Sequence, residues 1–186
     1  MDSTSTTLLD RLRGPDARAA WDRFARLYAP LLLTWAKAWG LHDADAADCA
    51  QEVLVKVMAQ FPRYERRPGA PFRGWLFALA KNACADFRAA RATRPLPGPN
   101  GLSDVPAPEP SADDYRAQLV RAALAAVRAD FAVPTWAAFT GVMLEGKSVA
   151  EVTAALNLSP NAVYLARHRV LTRLRAELAT LDGLID

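Results

Sequence analysis

The sequence is poor in the groups that catalysis and metal binding use. Its 186 residues include two cysteines and two histidines, and neither Cys49 nor Cys84 has a second Cys or a His at metal-ligand spacing, so no zinc site is expected. Both cysteines are expected as buried free thiols. No stretch approaches the ~20 consecutive apolar residues that span a bilayer, and the opening MDSTSTTLLDRLRGPD lacks a cationic leader followed by an apolar run. The chain therefore reads as cytoplasmic with no membrane partner, and no motif asks for a cofactor. Charge of one sign is also scarce, with a net of +3, but residues 1–94 hold 15 Lys and Arg against 10 Asp and Glu. That local excess suits an anionic partner such as nucleic acid without demanding one.

What the chain has is helical periodicity in two blocks. A hydrophobic content of 52% is ample for folded cores. Trp21, Phe24, Leu27, Tyr28, Leu31, Leu32, Trp35 and Trp39 keep helical spacing across Pro30, which should kink or end that helix. Asp16 reads as its N-cap and Gly40 as its stop. After Arg94 the composition changes to PLPGPNGLSDVPAPEPSADD, too Pro-rich to pack as helix or sheet. The expected fold class is all-α: a tail and short helix in 1–16, a helical domain in 17–94, a Pro-rich linker in 95–112 and a second helical domain in 113–186.

Phe72 to Arg91 reads as one helix with two different faces. Phe72, Leu76, Leu79, Ala80, Ala83 and Phe87 form an apolar stripe, while Lys81, Asn82, Ala85 and Arg88 lie opposite. Cations one and two turns apart, with an amide between them and small alanines around, suit close approach to phosphates and base edges. A merely solvated face has the same spacing. The preceding helix begins at Asp43 and Asp45 and ends at Pro62, with Ala50, Val53, Leu54, Val57 and Phe61 inside. Its outer face carries Asp48, Glu52, Val55 and Ala59 with Gln51 at the flank, which suits either solvent or a protein partner. Between the two helices, RYERRPGAP is a basic loop.

In the second block, Ser148 with Glu151 forms a capping box before a short helix marked by Val149, Val152, Ala155 and Leu156. Asn157-Leu158-Ser159 turns the chain, and Ser159 with Pro160 starts a longer helix. Short helix, tight turn and long helix make a helix-turn-helix. Asn161, Tyr164, Leu165 and His168 are candidates for the base edges, Arg167, Arg169 and Arg173 for phosphates, and Ser159 is counted with them at the DNA. Arg167 sits near the inner stripe and should snorkel outward.

The pattern F-x-G-W-L-x-x-x-A-x-N-x-x-x-D-x-R, here Phe72, Gly74, Trp75, Leu76, Ala80, Asn82, Asp86 and Arg88, resembles the promoter-melting helix of bacterial extracytoplasmic-function (ECF) sigma factors. D-A-x-D-x-x-Q-E-V, here Asp45, Ala46, Asp48, Gln51, Glu52 and Val53, resembles the family segment that docks on RNA polymerase. The resemblance covers roughly residues 17–92 and 113–180. It implies a non-enzymatic factor that binds the RNA polymerase core and promoter DNA. The clamp helices of the large subunit would take Asp45, Asp48, Gln51, Glu52 and Val55, and the flap of the second-largest subunit would take the second domain. It assigns Arg63, Tyr64, Arg66, Arg67, Lys81, Asn82, Asp86, Arg88 and Arg91 to the minus-ten element, with Tyr64 stacking on a flipped base. The helix-turn-helix would take the minus-thirty-five element, although the commonest family form has Thr, Lys, Ser, Arg and Leu where this chain has Ala162, Tyr164, Leu165, Ala166 and Arg167. The resemblance leaves room for an anti-sigma partner. Two rival readings stand beside it: a stand-alone helix-turn-helix regulator, and a nuclease with Asp45, Asp48 and Glu52 as metal ligands.

Overall fold

A computed structural model describes residues 7–15, 17–65, 71–92 and 111–181. Among these residues there are eight α-helices and no strand, and no helix is long and apolar enough to cross a membrane. The expected cap at Asp16 and the Pro-rich stretch 95–110 lie outside the described residues. The described residues group into two compact units, one over 7–119 with Leu181 and one over 120–180.

The first unit opens with α1 (Leu8–Arg11), capped reciprocally by Thr7 and Asp10, and continues with α2 (Ala17–Ala38). Pro30 lies inside α2 without ending it, and the Thr34 hydroxyl donates to the Pro30 carbonyl at 2.9 Å. Gly40, at φ 87°, reverses the chain where a side chain would strain the backbone. Next come α3 (Asp43–Gln60), a 3₁₀ turn over Phe61–Arg63, and α4 (Phe72–Ala92). Aromatic rings fill the space between these helices: Phe24 stacks on Tyr28 at 4.2 Å, and Phe72 meets both edge-on at 6.0 Å. α5 (Ala112–Val127) begins in this unit, its first turn closed by Ser111, whose hydroxyl accepts from the Asp114 N–H at 3.0 Å. Tyr115 is fully buried here, with its hydroxyl 3.0 Å from that of Tyr28 and its ring stacked on Trp35 at 6.5 Å.

The second unit takes the rest of α5, a 3₁₀ turn over Arg128–Asp130, then α6 (Val133–Met143), α7 (Val149–Leu156) and α8 (Pro160–Ala179). Ala138, Val152, Val163 and Ala166 form a small core, with Val142, Val149, Leu156 and Leu158 packed around it. Val152 is buried on α7 while Ala155 is exposed. In an eight-residue helix only one narrow stripe reaches its neighbours, and Val152 occupies its centre.

Candidate nucleic-acid interface

The two-faced character of α4 is present as expected. Phe72, Leu76, Leu79, Ala80 and Ala83 are buried and Phe87 half-buried; Lys81, Asn82 and Ala85 are exposed and Arg88 half-exposed. Among the described residues, Lys81, Asn82 and Arg88 make no ion pair or side-chain hydrogen bond, so their polar groups are open to a ligand. The buried side of α4 lies against α3, whose Ala46, Cys49, Ala50, Val53 and Val57 are buried. The cysteines correct the sequence expectation at this seam: Cys49 and Cys84 are joined as a disulfide with Cα atoms 6.0 Å apart, not present as free thiols. The packing of α3 on α4 brings together two positions 35 residues apart, which spacing along the chain does not reveal.

Charged side chains close the same seam at its rim. Arg91 pairs with Asp45 and, at 3.2 Å, with Asp48, and its guanidinium lies over the Phe87 ring at 4.6 Å. Lys56 reaches Asp86 at 3.1 Å and Glu52 at 3.5 Å, and its hydrogen bond to Asp86 raises the ammonium pKa further. Arg91 and Asp86, expected at the promoter, therefore turn toward α3. Asp45, Asp48 and Glu52, expected at the polymerase, have cations from their own domain beside them. Gln51 and Val55 stand fully outward, Val55 at 64% exposure, and Met58 joins them at 49%. Met58 was missed in the sequence, although its i+3 spacing from Val55 would have placed it on the same face.

Of the basic loop, Arg63 is exposed, while Arg66 and Arg67 lie outside the described residues. Tyr64 corrects the expectation of a base-stacking ring. It is buried against Phe61, Phe72 and Trp75, with ring centroids 4.8 to 5.9 Å away. Its backbone carbonyl accepts a hydrogen bond from Arg13, whose guanidinium also lies over the Phe61 ring at 4.7 Å. An aromatic ring bordered by three others gains more from that cluster than from solvent.

In the second unit the local signals produce the expected turn. Ser148 and Glu151 cap α7 reciprocally, and the two hydrogen bonds from Ser148 hold the Glu151 carboxyl below its ordinary pKa. Asn157 takes the left-handed conformation at φ 52°, and the Ser159 hydroxyl accepts from the Ala162 N–H at 3.2 Å to start α8. Close approach of α6 to α7 needs Gly141, since a Cβ there would lie 2.9 Å from a Val152 methyl. On α8, Asn161, Tyr164, Leu165, His168 and Arg169 are exposed, with Tyr164 at 53% and Leu165 at 45%. Arg167 is also exposed, with no need to snorkel. Arg173 departs from the phosphate-contact expectation: it bonds Asp130 and Glu177, each at 2.8 Å, and is anchored to its own unit. The exposed Arg175, one turn from Leu171, is the outward cation at that end of the helix.

Among the described residues no three His, Cys, Asp or Glu side chains are grouped to hold a metal ion. Asp45 and Asp48 pair with Arg91, and Glu52 with Lys56.

The Sigma-70 region 2 family matches residues 24–94, which span most of α2 and all of α3 and α4. The chain is 32% identical over 183 residues to the ECF RNA polymerase sigma factor ShbA of Streptomyces griseus subsp. griseus, covering 91% of this chain and 92% of that protein. It is 29% identical to the RNA polymerase sigma factor CarQ of Myxococcus xanthus over 94% of this chain and 97% of that one. With the ECF RNA polymerase sigma factor SigD of Mycobacterium tuberculosis it shares 33% identity over 72% of this chain and 63% of that one. The chain belongs to the ECF RNA polymerase sigma factors. It is a non-catalytic subunit that binds core RNA polymerase and promoter DNA and directs initiation, which sets aside both the stand-alone regulator and the nuclease.

Proposed function

We propose that residues 17–94 act as a domain that opens and reads the minus-ten element, residues 113–186 as one that reads the minus-thirty-five element, and the Pro-rich 95–112 as the tether between them. The observation that carries this reading is the outward face of α4, where Lys81, Asn82 and Arg88 are open to a ligand while the opposite face is buried. Lys81 and Arg88 meet phosphates, Asn82 reads a base edge, and Arg63 with Arg66 and Arg67 holds the displaced strand. Extruding a base costs a few kcal/mol, which pocket contacts and the polymerase offset. Asn161, Tyr164, Leu165 and His168 contact bases at the upstream element, and Ser159, Arg167 and Arg169 its phosphates.

Core polymerase docks on the outward side of α3 through Asp48, Gln51, Glu52, Val55 and Met58. The acids steer encounter with the basic clamp helices of the large subunit, and the apolar pair supplies contact area. The flap of the second-largest subunit receives the second domain. These encounters occur in the cytoplasm, where the polymerase works.

Two measurements test the assignment. Asn82→Ala is expected to bind core polymerase normally and to lose open-complex formation, read as permanganate reactivity of unpaired thymines on its promoter. Normal melting by that variant would remove Asn82 from the reading. Asp48→Lys/Glu52→Lys is expected to fail co-purification with core polymerase, and full retention would move the docking face elsewhere.

A further inference from the structure

We propose that Cys49 and Cys84 form a thiol–disulfide switch that fastens the polymerase-docking helix to the promoter helix when the cell becomes oxidising. The two sulfurs are in the one place where a covalent link joins the elements that carry both functions. Cys49 is on α3 directly after Asp48, Cys84 is on α4 two residues from Asn82, and the bond crosses the seam between the helices. Both residues are buried, at 0% and 2% exposure. Within a turn of the two cysteines on their own helices lie the buried Ala46, Ala50, Ala80 and Ala83, and the Cα separation is 6.0 Å, within the range a disulfide requires.

Compartment turns this bond from a fixed staple into a switch, a step that rests on the functional reading above. A factor working beside the cytoplasmic polymerase is bathed in reducing thiols, where disulfides are usually transient and redox-sensing. Reduced, the two thiols pack as small apolar groups between alanines and the helices are held by packing alone. Burial restricts the oxidant to something small, and hydrogen peroxide fits. One thiolate attacks the peroxide oxygen to give a sulfenic acid and hydroxide; the second sulfur then displaces water from the sulfenic sulfur. The net change is two thiols and one peroxide to one disulfide and two waters. A dithiol reductant reverses it by exchange, becoming oxidised itself.

The oxidised form has a loop of 35 residues closed covalently in its unfolded state, so it resists separation of α3 from α4. Oxidation therefore extends the conditions under which the factor remains competent, keeping initiation running during oxidising stress.

The test uses the full chain in parallel dithiothreitol-treated and peroxide-treated preparations. Free thiols are counted by alkylation and mass measurement under denaturing conditions, thermal unfolding is followed, and initiation with core polymerase is assayed after a heat step. Peroxide is expected to lower the thiol count from two to zero, to raise the unfolding midpoint of the first unit by at least about 10 °C, and to increase surviving initiation several-fold. Cys49→Ala/Cys84→Ala, whose new side chains match their neighbours, is expected to fold and to show no response to peroxide, and Cys84→Ala to retain one alkylatable thiol. Two free thiols after peroxide overturn the proposal, as does a formed bridge with unchanged midpoint and unchanged surviving initiation. Failure of both preparations to bind core polymerase at any temperature would defeat the docking assignment instead, while the thiol count and midpoint would still judge the bridge.

Discussion

The Tyr28–Tyr115 pair gives a sharp test of how α5 is held in the first unit. Both residues are fully buried, and their hydroxyls meet at 3.0 Å. Replacing either by Phe leaves the other hydroxyl in the core without this partner, which costs about 1–3 kcal/mol. Replacing both removes two polar atoms of matching position and should be nearly neutral. A double-mutant cycle of Tyr28→Phe, Tyr115→Phe and the pair is therefore expected to show a coupling of at least about 1 kcal/mol. Urea unfolding followed by tryptophan emission is suitable, because Trp35 stacks on Tyr115 while Trp21, Trp39 and Trp75 lie in the same unit. The two units need not unfold together, so the transition is fitted for the tryptophan-rich unit. The pair also has a pH signature. Burial raises the pKa of both phenols, and at Tyr28 the neighbouring Tyr115 adds to it. A raised pKa contributes stability that is fully present below the unfolded value of 10 and is lost as pH rises toward the folded value. The wild type should thus lose stability above about pH 10 more steeply than the double Phe variant. Single substitutions that each cost less than about 0.5 kcal/mol would refute the reasoning, since the stranded hydroxyl would then have found another partner.

Three further outcomes follow from local geometry. Gly74→Ala meets no atom within 4 Å and should stabilise the first unit by up to about 1 kcal/mol through helix propensity, whereas Gly141→Ala forces its Cβ to 2.9 Å from Val152, an overpacking cost of about 1–3 kcal/mol that outweighs the same gain; opposite shifts of the two unfolding transitions check this. Ser148→Ala removes the cap of α7 and should cost about 1 kcal/mol in the helix-turn-helix unit, measured by denaturant midpoint. Because the Glu151 carboxyl is depressed by its bonds to Ser148, the capping box contributes above the unfolded value of 4.5 and is lost as pH falls through the folded one, so the difference between wild type and Glu151→Gln should shrink on acidification.

Most of the helices were legible because their signals are local. The stripe of α4, the capping box at Ser148 and the turn at Asn157 each depend on residues a few positions apart, and each is present as expected. Features that depend on which helix meets which were not legible. Tyr64 lies in a stretch that reads as a basic loop, yet three rings from other positions enclose it. Periodicity places Tyr115 and Leu119 on an apolar face but does not say that this face joins the first unit. The Cys49–Cys84 bond and the partners of Arg91 and Arg173 are set by helix register across gaps of 35, 43, 46 and 43 residues. The exposed faces of α4 and α8 were recoverable, since outward positions follow from the inward ones by subtraction.

The rim between α3 and α4 decides how a docking experiment should be read. Asp48→Lys/Glu52→Lys alters a polymerase-facing surface and also removes partners of Arg91 and Lys56, so loss of binding has two candidate causes. Magnitudes separate them. Asp48 and Glu52 are 58% and 42% exposed, and exposed ion pairs contribute about 0–1 kcal/mol each. Arg91 keeps Asp45 and Lys56 keeps Asp86 in the variant, which limits the loss further. The seam beneath them is apolar and covalently bridged. The double variant should therefore unfold within about 2 kcal/mol of wild type. A larger drop, measured by urea unfolding before any binding assay, would mean that the rim holds the helices together. A smaller one leaves the changed outer face of α3 as the cause of lost docking. Asp45→Asn supplies the complementary arm, because it weakens an Arg91 pair while leaving the acids of the outer face intact. Retained polymerase binding by Asp45→Asn alongside lost binding by the double variant is the expected pattern. Equal loss in both would assign docking to the Arg91 cluster instead of Asp48 and Glu52.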